Sequence, residues 1–575
     1  MSVLAVFDVR GIQEFIFRTN KIKEIIGASI IVKDMLMTCF KEACEKYYVN
    51  DISFDWQNKE YKGNLDMEVI FEGGGNLVAE FKDIEKYRQV YRNMTEEILA
   101  KTYSLSIASA YVQKTGNYYK DKNDLNKKLA ELKRKYYSFA LPRGIATTKR
   151  DYLTGLPISE MYPDKSKEYE LVSREAKLKL KACDHLKLKK DNKFNYMLNL
   201  DDMVLEKGKD SLLAIVHIDG NNMADAINSR MNNKTDYKDA VETIRKLSQQ
   251  ITNIFTEDAY DILPKALEDA FNSLSGDLKK YCEQKEIRLP MRQIICAGDD
   301  ITFICNARIA IPLTEMYLRK IIEYKDDNKE ELEFSACAGI AFIHSHFPFS
   351  LAYEIAEECC SNAKAEAKSK NDKKRGFIDF HFCYSGVSGD LEQIRESQYI
   401  NHDGYSLLRR PWQVTGKEID AFKDIRMLKD FAMFFSTGKY ENKEKKVDFP
   451  ECCEQSETFK AWPNSRVKEF RNAHFSGEKE LEDIYSQYKS RGYILPWYSG
   501  VFFTKNYSSV DSQDETSCIK GSQPRNGDYK DNSAENDIPI DYKAIYYDSL
   551  EMSDIYCDIN EFAEIFITQR VGENK

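Results

Sequence analysis

Two apolar runs joined by a short acidic turn constrain this chain more than any other segment: Arg292-Gln293-Ile294-Ile295-Cys296-Ala297-Gly298-Asp299-Asp300-Ile301-Thr302-Phe303-Ile304-Cys305. The pattern predicts strand, turn, strand, with two adjacent carboxylates at the tip. Another apolar run, Leu212 to Ile218, ends in Asp219-Gly220-Asn221-Asn222. An exposed hairpin turn is one reading, since aspartate favours turns. A cation site is the other. Asp299 and Asp300 cannot both be core residues, because buried unpaired charge is costly. Carboxylates delivered from a strand end and a hairpin tip suit hard divalent cations that clamp the attacking and leaving oxygens of a nucleotide. Gly298 and Gly220 suit a place where backbone approaches a triphosphate closely.

Around this feature, the length of 575 residues predicts about three or four domains. A net charge of −10 is mild for this size and does not announce a nucleic-acid binder. No stretch approaches the ~20 uncharged apolar residues of a membrane span. The start, Met1 to Asp8, reads as a strand rather than a signal peptide. Fourteen cysteines without a C-x-x-C pair imply reduced thiols, a cytoplasmic location and no cysteine-based zinc site. The vicinal pairs Cys359-Cys360 and Cys452-Cys453 read as packing residues. Ala176 to Lys193, Lys120 to Lys135 and Lys364 to Arg375 are basic. They read as solvated helix faces or, because they flank the site region, as phosphate-contacting patches.

The order of elements implies α+β architecture. Val3 to Val9 is strand-like and Gln13 to Tyr47 has helical spacing. Met67 to Phe71 and Leu77 to Phe81 flank a Glu72-Gly73-Gly74-Gly75-Asn76 turn; Ile84 to Lys101 is helical and Leu105 to Val112 is a strand. This β-α-β-β-α-β order is ferredoxin-like. Residues 211–386 repeat it with longer helices, which points to internal duplication. Residues 113–210 are Lys-rich and read as mostly helical, with a loop at Thr154-Gly155-Leu156-Pro157. After residue 387 the chain reads as helical (Lys417 to Phe435, Ser465 to Lys489, Asp548 to Thr568), with a disordered insertion at 507–537.

On these residues the chain resembles the large palm-polymerase subunit of type III CRISPR effector complexes, within the palm and nucleotidyl-cyclase group that includes the GGDEF cyclases. The resemblance rests on Phe7 to Ser29 (FDVRGIQEFIF…IGAS), His217 to Met223 (HIDGNNM), Cys296 to Asp300 (CAGDD), Phe334 to Phe342 (FSACAGIAF), the helix that follows with its Ala-Lys, and Arg409 to Trp412 (RRPW). It implies two ferredoxin-like palms, 1–112 and 211–386, a helical linker module and a helical C-terminal domain, 387–575. It also implies conversion of ATP to cyclic oligoadenylate, switched on by target RNA in a complex with CRISPR RNA and small subunits. Asp219, Asp299 and Asp300 would hold two Mg²⁺ or Mn²⁺ ions. Gly220, Asn221 and Gly298 would lie at the nucleotide, Lys364 would contact phosphates and Ser335 would line the base pocket.

Departures shape the expectation. Ala297 replaces the first glycine of the family's GGDD turn, which is compatible with activity where that residue has negative φ. The first palm has glycines where a catalytic turn carries acids, so Gly73, Gly74 and Gly75 are expected either to hold an acceptor nucleotide or to form a tight hairpin. The chain starts on a palm strand and His402-Asp403 lacks companion histidines, so no HD nuclease is expected. Asp151-Tyr152-Leu153 before the Thr-Gly-Leu-Pro loop carries no cysteine, so the family's zinc is expected to be lost. His344 and His346 read as packing or surface residues. Two other readings stand: a cyclic-nucleotide synthase working without guide RNA, and a non-catalytic RNA-binding scaffold.

Overall fold

A computed structural model describes residues 2–48, 51–135, 147–152, 154–164, 168–188, 203–204, 212–231, 234, 236–257, 291–324, 334–369, 372–383, 390–419, 423–438, 460–493, 495, 557–561 and 563. The expected insertion at 507–537, Cys452-Cys453 and most of the helix expected from Asp548 lie outside these residues. The chain divides into two compact units, Met1–Tyr384 and Ser385–Lys575.

In the first unit, β1 (Val3–Arg10) is apolar almost throughout and is buried along nearly its whole length. That is what a central strand covered on both faces requires. It is followed by α1 (Ile12–Phe17), α2 (Ile22–Glu45), β2 (Ile52–Ser53), β3 (Met67–Gly73), β4 (Asn76–Phe81), α3 (Ile84–Thr102) and β5 (Ser106–Gln113). The sheet order is β2-β3-β4-β1-β5. β1 is antiparallel to both β4 and β5. The expected single helix from Gln13 to Tyr47 is two, broken at Arg18–Lys21.

The linker module carries a strand pair beside its expected helices. After α4 (Tyr118–Lys135), β6 (Ile158–Asp164) and β7 (Glu168–Ser173) form an antiparallel ribbon, followed by α5 (Arg174–Leu188). The basic run on α5 is not wholly a solvated face. Lys179 is buried, donating to Phe15 O and Glu175 Oε1 at 2.6 Å each, while Arg18 Nη1 reaches Glu175 Oε2 at 2.6 Å. Asp151 Oδ1 accepts from Thr154 N across the Thr-Gly-Leu-Pro loop, an Asx turn that holds the loop by its own bonds.

The second palm repeats the first. β8 (Leu212–Gly220), α6 (Met223–Met231), α7 (Tyr237–Thr252), β9 (Met291–Ala297), β10 (Asp300–Asn306), α8 (Ala307–Glu323), β11 (Ala336–His344), α9 (Phe349–Lys368) and β12 (Gly376–Phe382) follow in turn. The strands run β12-β11-β8-β10-β9, with β8 central as β1 is in the first palm. Asn306 caps α8 by accepting from Arg308 N, and Pro312 lies inside the helix. α7 buries Tyr237, Ala240, Val241, Ile244 and Leu247 at helical spacing. Of these, Tyr237, Ala240, Val241 and Ile244 pack with Leu4, Val6, Ile70 and Val78 of the first sheet.

Arg245 on α7 ties the two palms by polar contacts. Buried at 5 % exposure, it donates to Ile70 O, Val69 O and Lys59 O at 2.8, 2.6 and 3.0 Å and pairs with buried Glu68 at 3.3 Å. Arg245→Ala is expected to lower stability by about 3 kcal/mol, since it strands a buried carboxylate and three carbonyls. The check is a lower urea midpoint at unchanged denaturant slope.

The second unit holds α10 (Leu391–Gln398), β13 (Trp412–Thr415), α11 (Ile425–Thr437), α12 (Asn464–Ser476) and α13 (Glu478–Ser490). The single helix expected over Ser465 to Lys489 is interrupted at Gly477. The helix expected from Lys417 begins at Ile425, where Asp424 caps it. Buried Arg410 pairs with Asp558 and Glu561 at 2.6 and 2.5 Å, and Trp412 Nε1 donates to Asp558 Oδ2.

Candidate active site

Asp299 and Asp300 sit where β9 turns into β10. Ala297 pairs with Asp300, so the loop is the two residues Gly298-Asp299. Gly298 has φ 66°, the left-handed value that a two-residue hairpin loop asks of glycine. Ala297 is the last residue of β9.

β8 delivers Asp219 beside this turn. A Cβ on Gly220 would lie 2.9 Å from Asp299 Oδ2, so glycine makes room for the carboxylate. Asp219 and Asp299 come within hydrogen-bond reach of each other, and both act electrostatically on Asp300. Partial burial, then the neighbouring carboxylates, raise Asp299 to about 6 and Asp300 to about 7. Lys364 on α9 places Nζ 2.5 Å from Asp219 Oδ2. His217 Nδ1 lies 3.2 Å from Thr302 Oγ1 and 3.5 Å from Asp300 Oδ1. Burial lowers its pKa to about 4, so it faces Asp300 as a neutral ring.

Three hard oxygen donors in mutual electrostatic contact fit a divalent cation. Asp300 Oδ1 is buried without a hydrogen-bond partner, an oxygen that a cation would satisfy. Among the described residues no three Asp, Glu, His or Cys side chains already stand at metal-binding distance. Lys364 instead supplies the positive charge at Asp219.

A carboxyl whose folded pKa lies above its unfolded value favours the fold below pH ~3.8 and loses that contribution as pH rises through about 6 to 7. Millimolar Mg²⁺ or Mn²⁺ is therefore expected to raise the melting temperature by several degrees at pH 8. A cation at 100 times its Kd contributes about 2.7 kcal/mol. The shift should shrink at pH 5, where protons already neutralise Asp299 and Asp300, and chelator should reverse it.

Of the other expected residues, Asn221 and Ser335 are joined in one network. Asn221 Nδ2 donates to Ser335 Oγ and Arg375 O at 3.0 and 2.9 Å, and Ser335 Oγ donates to Lys373 O at 2.7 Å. Ser335 is 1 % exposed, and its hydroxyl holds Asn221 and the strand end. His344 and His346 are exposed.

The first palm's hairpin meets this turn. Gly74 and Gly75 form its loop at φ 58° and 75°, and a Cβ on Gly298 would stand 3.1 Å from Gly74 N. Gly73 lies against α7, where Ser248 Oγ donates to Glu72 O at 3.1 Å. Aligned turn to turn, Gly75 and Asn76 stand where the second palm has Asp299 and Asp300. Asp8 stands opposite Asn76 on β1, matching Asp219. Lys133 of α4 pairs with Asp8 at 2.8 Å, as Lys364 of α9 pairs with Asp219. The first palm keeps the strand acid and its lysine and lacks the two turn acids.

Sequence reasoning missed His217, Gln13, Tyr353 and Glu357. Gln13 Nε2 donates to Tyr353 Oη at 2.7 Å and hydrogen-bonds Glu357, a fourth carboxylate raised by burial and by Asp219. The one signal for it was Glu357's place two helical turns before Lys364 on the same face.

Residues 212–375 match the family described as Cas10/Cmr2, second palm domain. No curated protein matches the chain. Among solved structures, the chain is similar to a Csm1–Csm4 cassette in complex with pppApApA, at 13% identity, 98% coverage of this chain, 69% of that chain and TM-score 0.48. Csm1 in T. onnurineus is matched at 11% identity, 98% and 69% coverage and TM-score 0.46. The cassette in complex with cA3 is matched at 12% identity, 70% and 56% coverage and TM-score 0.39. The chain spans between 54% and 62% of the length of several such cassette chains. Residues 212–375, the segment that carries Asp219, Asp299, Asp300 and Lys364, are thus similar to the second palm domain of the Cas10/Cmr2 family.

Proposed function

We propose that the second palm converts ATP to cyclic oligoadenylate. In each step a ribose hydroxyl oxygen bonds to an α-phosphorus, that of another ATP during growth and of the oligomer's own 5′ end at closure, while the bond to the bridging oxygen breaks and pyrophosphate and the hydroxyl proton leave to solvent. The observation that carries this reading is the convergence of Asp219, Asp299 and Asp300, with Lys364 beside them, in a Cas10/Cmr2-type palm. Asp219, Asp299 and Asp300 would hold Mg²⁺ or Mn²⁺, which when bound lowers the pKa of the attacking hydroxyl and neutralises charge on the phosphates. Lys364 would transfer its ammonium from Asp219 to a phosphate, as a point charge suited to that contact. Gly220 and Gly298 admit close approach of carboxylate and backbone, and Asn221 shapes the strand end. The Gly73 to Gly75 hairpin, facing the acidic turn, would hold the acceptor nucleotide by its backbone.

The domain division that goes with this reading is a first palm over 1–112, a linker module over 113–210, the catalytic palm over 211–386 and a C-terminal domain over 387–575. CRISPR RNA, target RNA and small effector subunits are its proposed partners. No described helix is long and apolar enough to cross a membrane.

The test is incubation of purified protein with α-labelled ATP and Mg²⁺ or Mn²⁺, with and without co-purifying RNA, and product identification by mass. Cyclic products support the reading, and dependence on RNA assigns the chain to an effector complex rather than to free synthesis. Absence of both turnover and ATP binding would sink it in favour of a scaffold.

A further inference from the structure

We infer that Gln13 of the first palm is a positioning residue for the second palm's carboxylate site, acting through α9. The inference rests on the nucleotide-polymerising reading above.

The helix that carries Lys364 is held at its N-terminal half by the first palm. Its N-cap is Pro348, which offers no side-chain acceptor. The missing acceptor comes from the first palm, where Asn20 Oδ1 takes the Phe349 N–H at 3.0 Å. An uncapped helix start leaves backbone donors unsatisfied, so this contact ties the helix end to the other palm. One turn further on, the Phe17 ring stacks on Tyr353 with centroids 4.4 Å apart and planes 21° apart. Gln13 donates to the Tyr353 hydroxyl at 2.7 Å and bonds Glu357 on the next turn.

Two contacts carry this grip to the acidic turn. The Tyr353 ring meets the His217 ring edge to face, with centroids 5.5 Å apart, and His217 Nδ1 lies 3.5 Å from Asp300 Oδ1. Glu357 acts electrostatically on Asp300, and Asp219 on Glu357. A slip of α9 along its axis would carry Lys364 off Asp219 and Tyr353 off His217 together. Gln13 itself is exposed, so its replacement leaves both cores packed.

The experiment uses the full chain. In Gln13→Ala, hydrogen exchange over residues 349–364 is expected to rise about fivefold, the size of one lost hydrogen bond, with exchange of β1 and β5 unchanged. In the same variant the Mn²⁺ concentration for half-maximal ATP conversion rises about fivefold, while KM for ATP stays put. Tyr353→Phe, which keeps the stacked ring, should behave alike, and the double variant should add little beyond either single one. Unchanged exchange in Gln13→Ala, or fully additive effects of the two substitutions, would overturn the inference. Failure of the unsubstituted chain to convert ATP overturns the proposed function instead, and the exchange measurement still decides whether Gln13 holds α9.

Discussion

Asp299→Ala combined with Asp300→Ala is expected to abolish the proposed conversion of ATP, with a fall in rate of at least about 10³-fold, while the fold persists. The size follows from removing the groups that place cations at the reacting phosphate, electrostatic stabilisation worth on the order of 4 kcal/mol in the transition state. The fold persists because neither side chain holds up a core: both sit at a hairpin tip beside glycine, with Asp300 33 % exposed. Burial and mutual repulsion raise both carboxyls, so as carboxylates at neutral pH they oppose the apo fold. The double variant should therefore melt at or above the parent temperature at pH 8 without cation, and should lose the cation-induced shift. Undiminished product from that variant would end the metal-site assignment.

Lys364→Met is expected to slow ATP conversion by about 10²-fold and to act in the opposite direction on apo stability. Methionine keeps much of the aliphatic stem and removes the charge. Without the ammonium 2.5 Å away, Asp219 and Asp299 repel without compensation, so the apo protein should melt lower at pH 8 while a divalent cation restores more than it does in the parent. The loss of rate should persist at saturating cation, because the ion can replace Lys364 at Asp219 but not at a substrate phosphate. A loss that saturating cation fully repairs would restrict Lys364 to a counter-ion.

Much of this architecture was legible in the residues. The Gly-Asp-Asp turn between apolar runs marked the hairpin, and the run ending at Asp219-Gly220 marked its neighbouring strand, because strand burial and turn chemistry are local in sequence. The duplicated palm was legible from element order. Other features were not. The break at Arg18–Lys21 follows a stretch with good helical spacing, and the β6–β7 ribbon lies in a segment whose Lys and Glu content reads as helix. Lys179 looked like one of many solvated lysines until Glu175 and the Phe15 carbonyl closed around it.

The site shows the same division. Local chemistry offered Asp219, Asp299 and Asp300 either as turn residues or as cation ligands, and only the family resemblance added Lys364. Which charge answers which was decided in three dimensions. Lys364 settles on Asp219 from 145 residues away, and Gln13 reaches Tyr353 across 340. Ser335, expected at a base, turns inward to Asn221 and Lys373. Spacing along a chain prescribes the backbone path and the face a side chain takes. Electrostatic and hydrogen-bond partnership depends on ångström distances between distant segments, and those exist only once the two palms have packed.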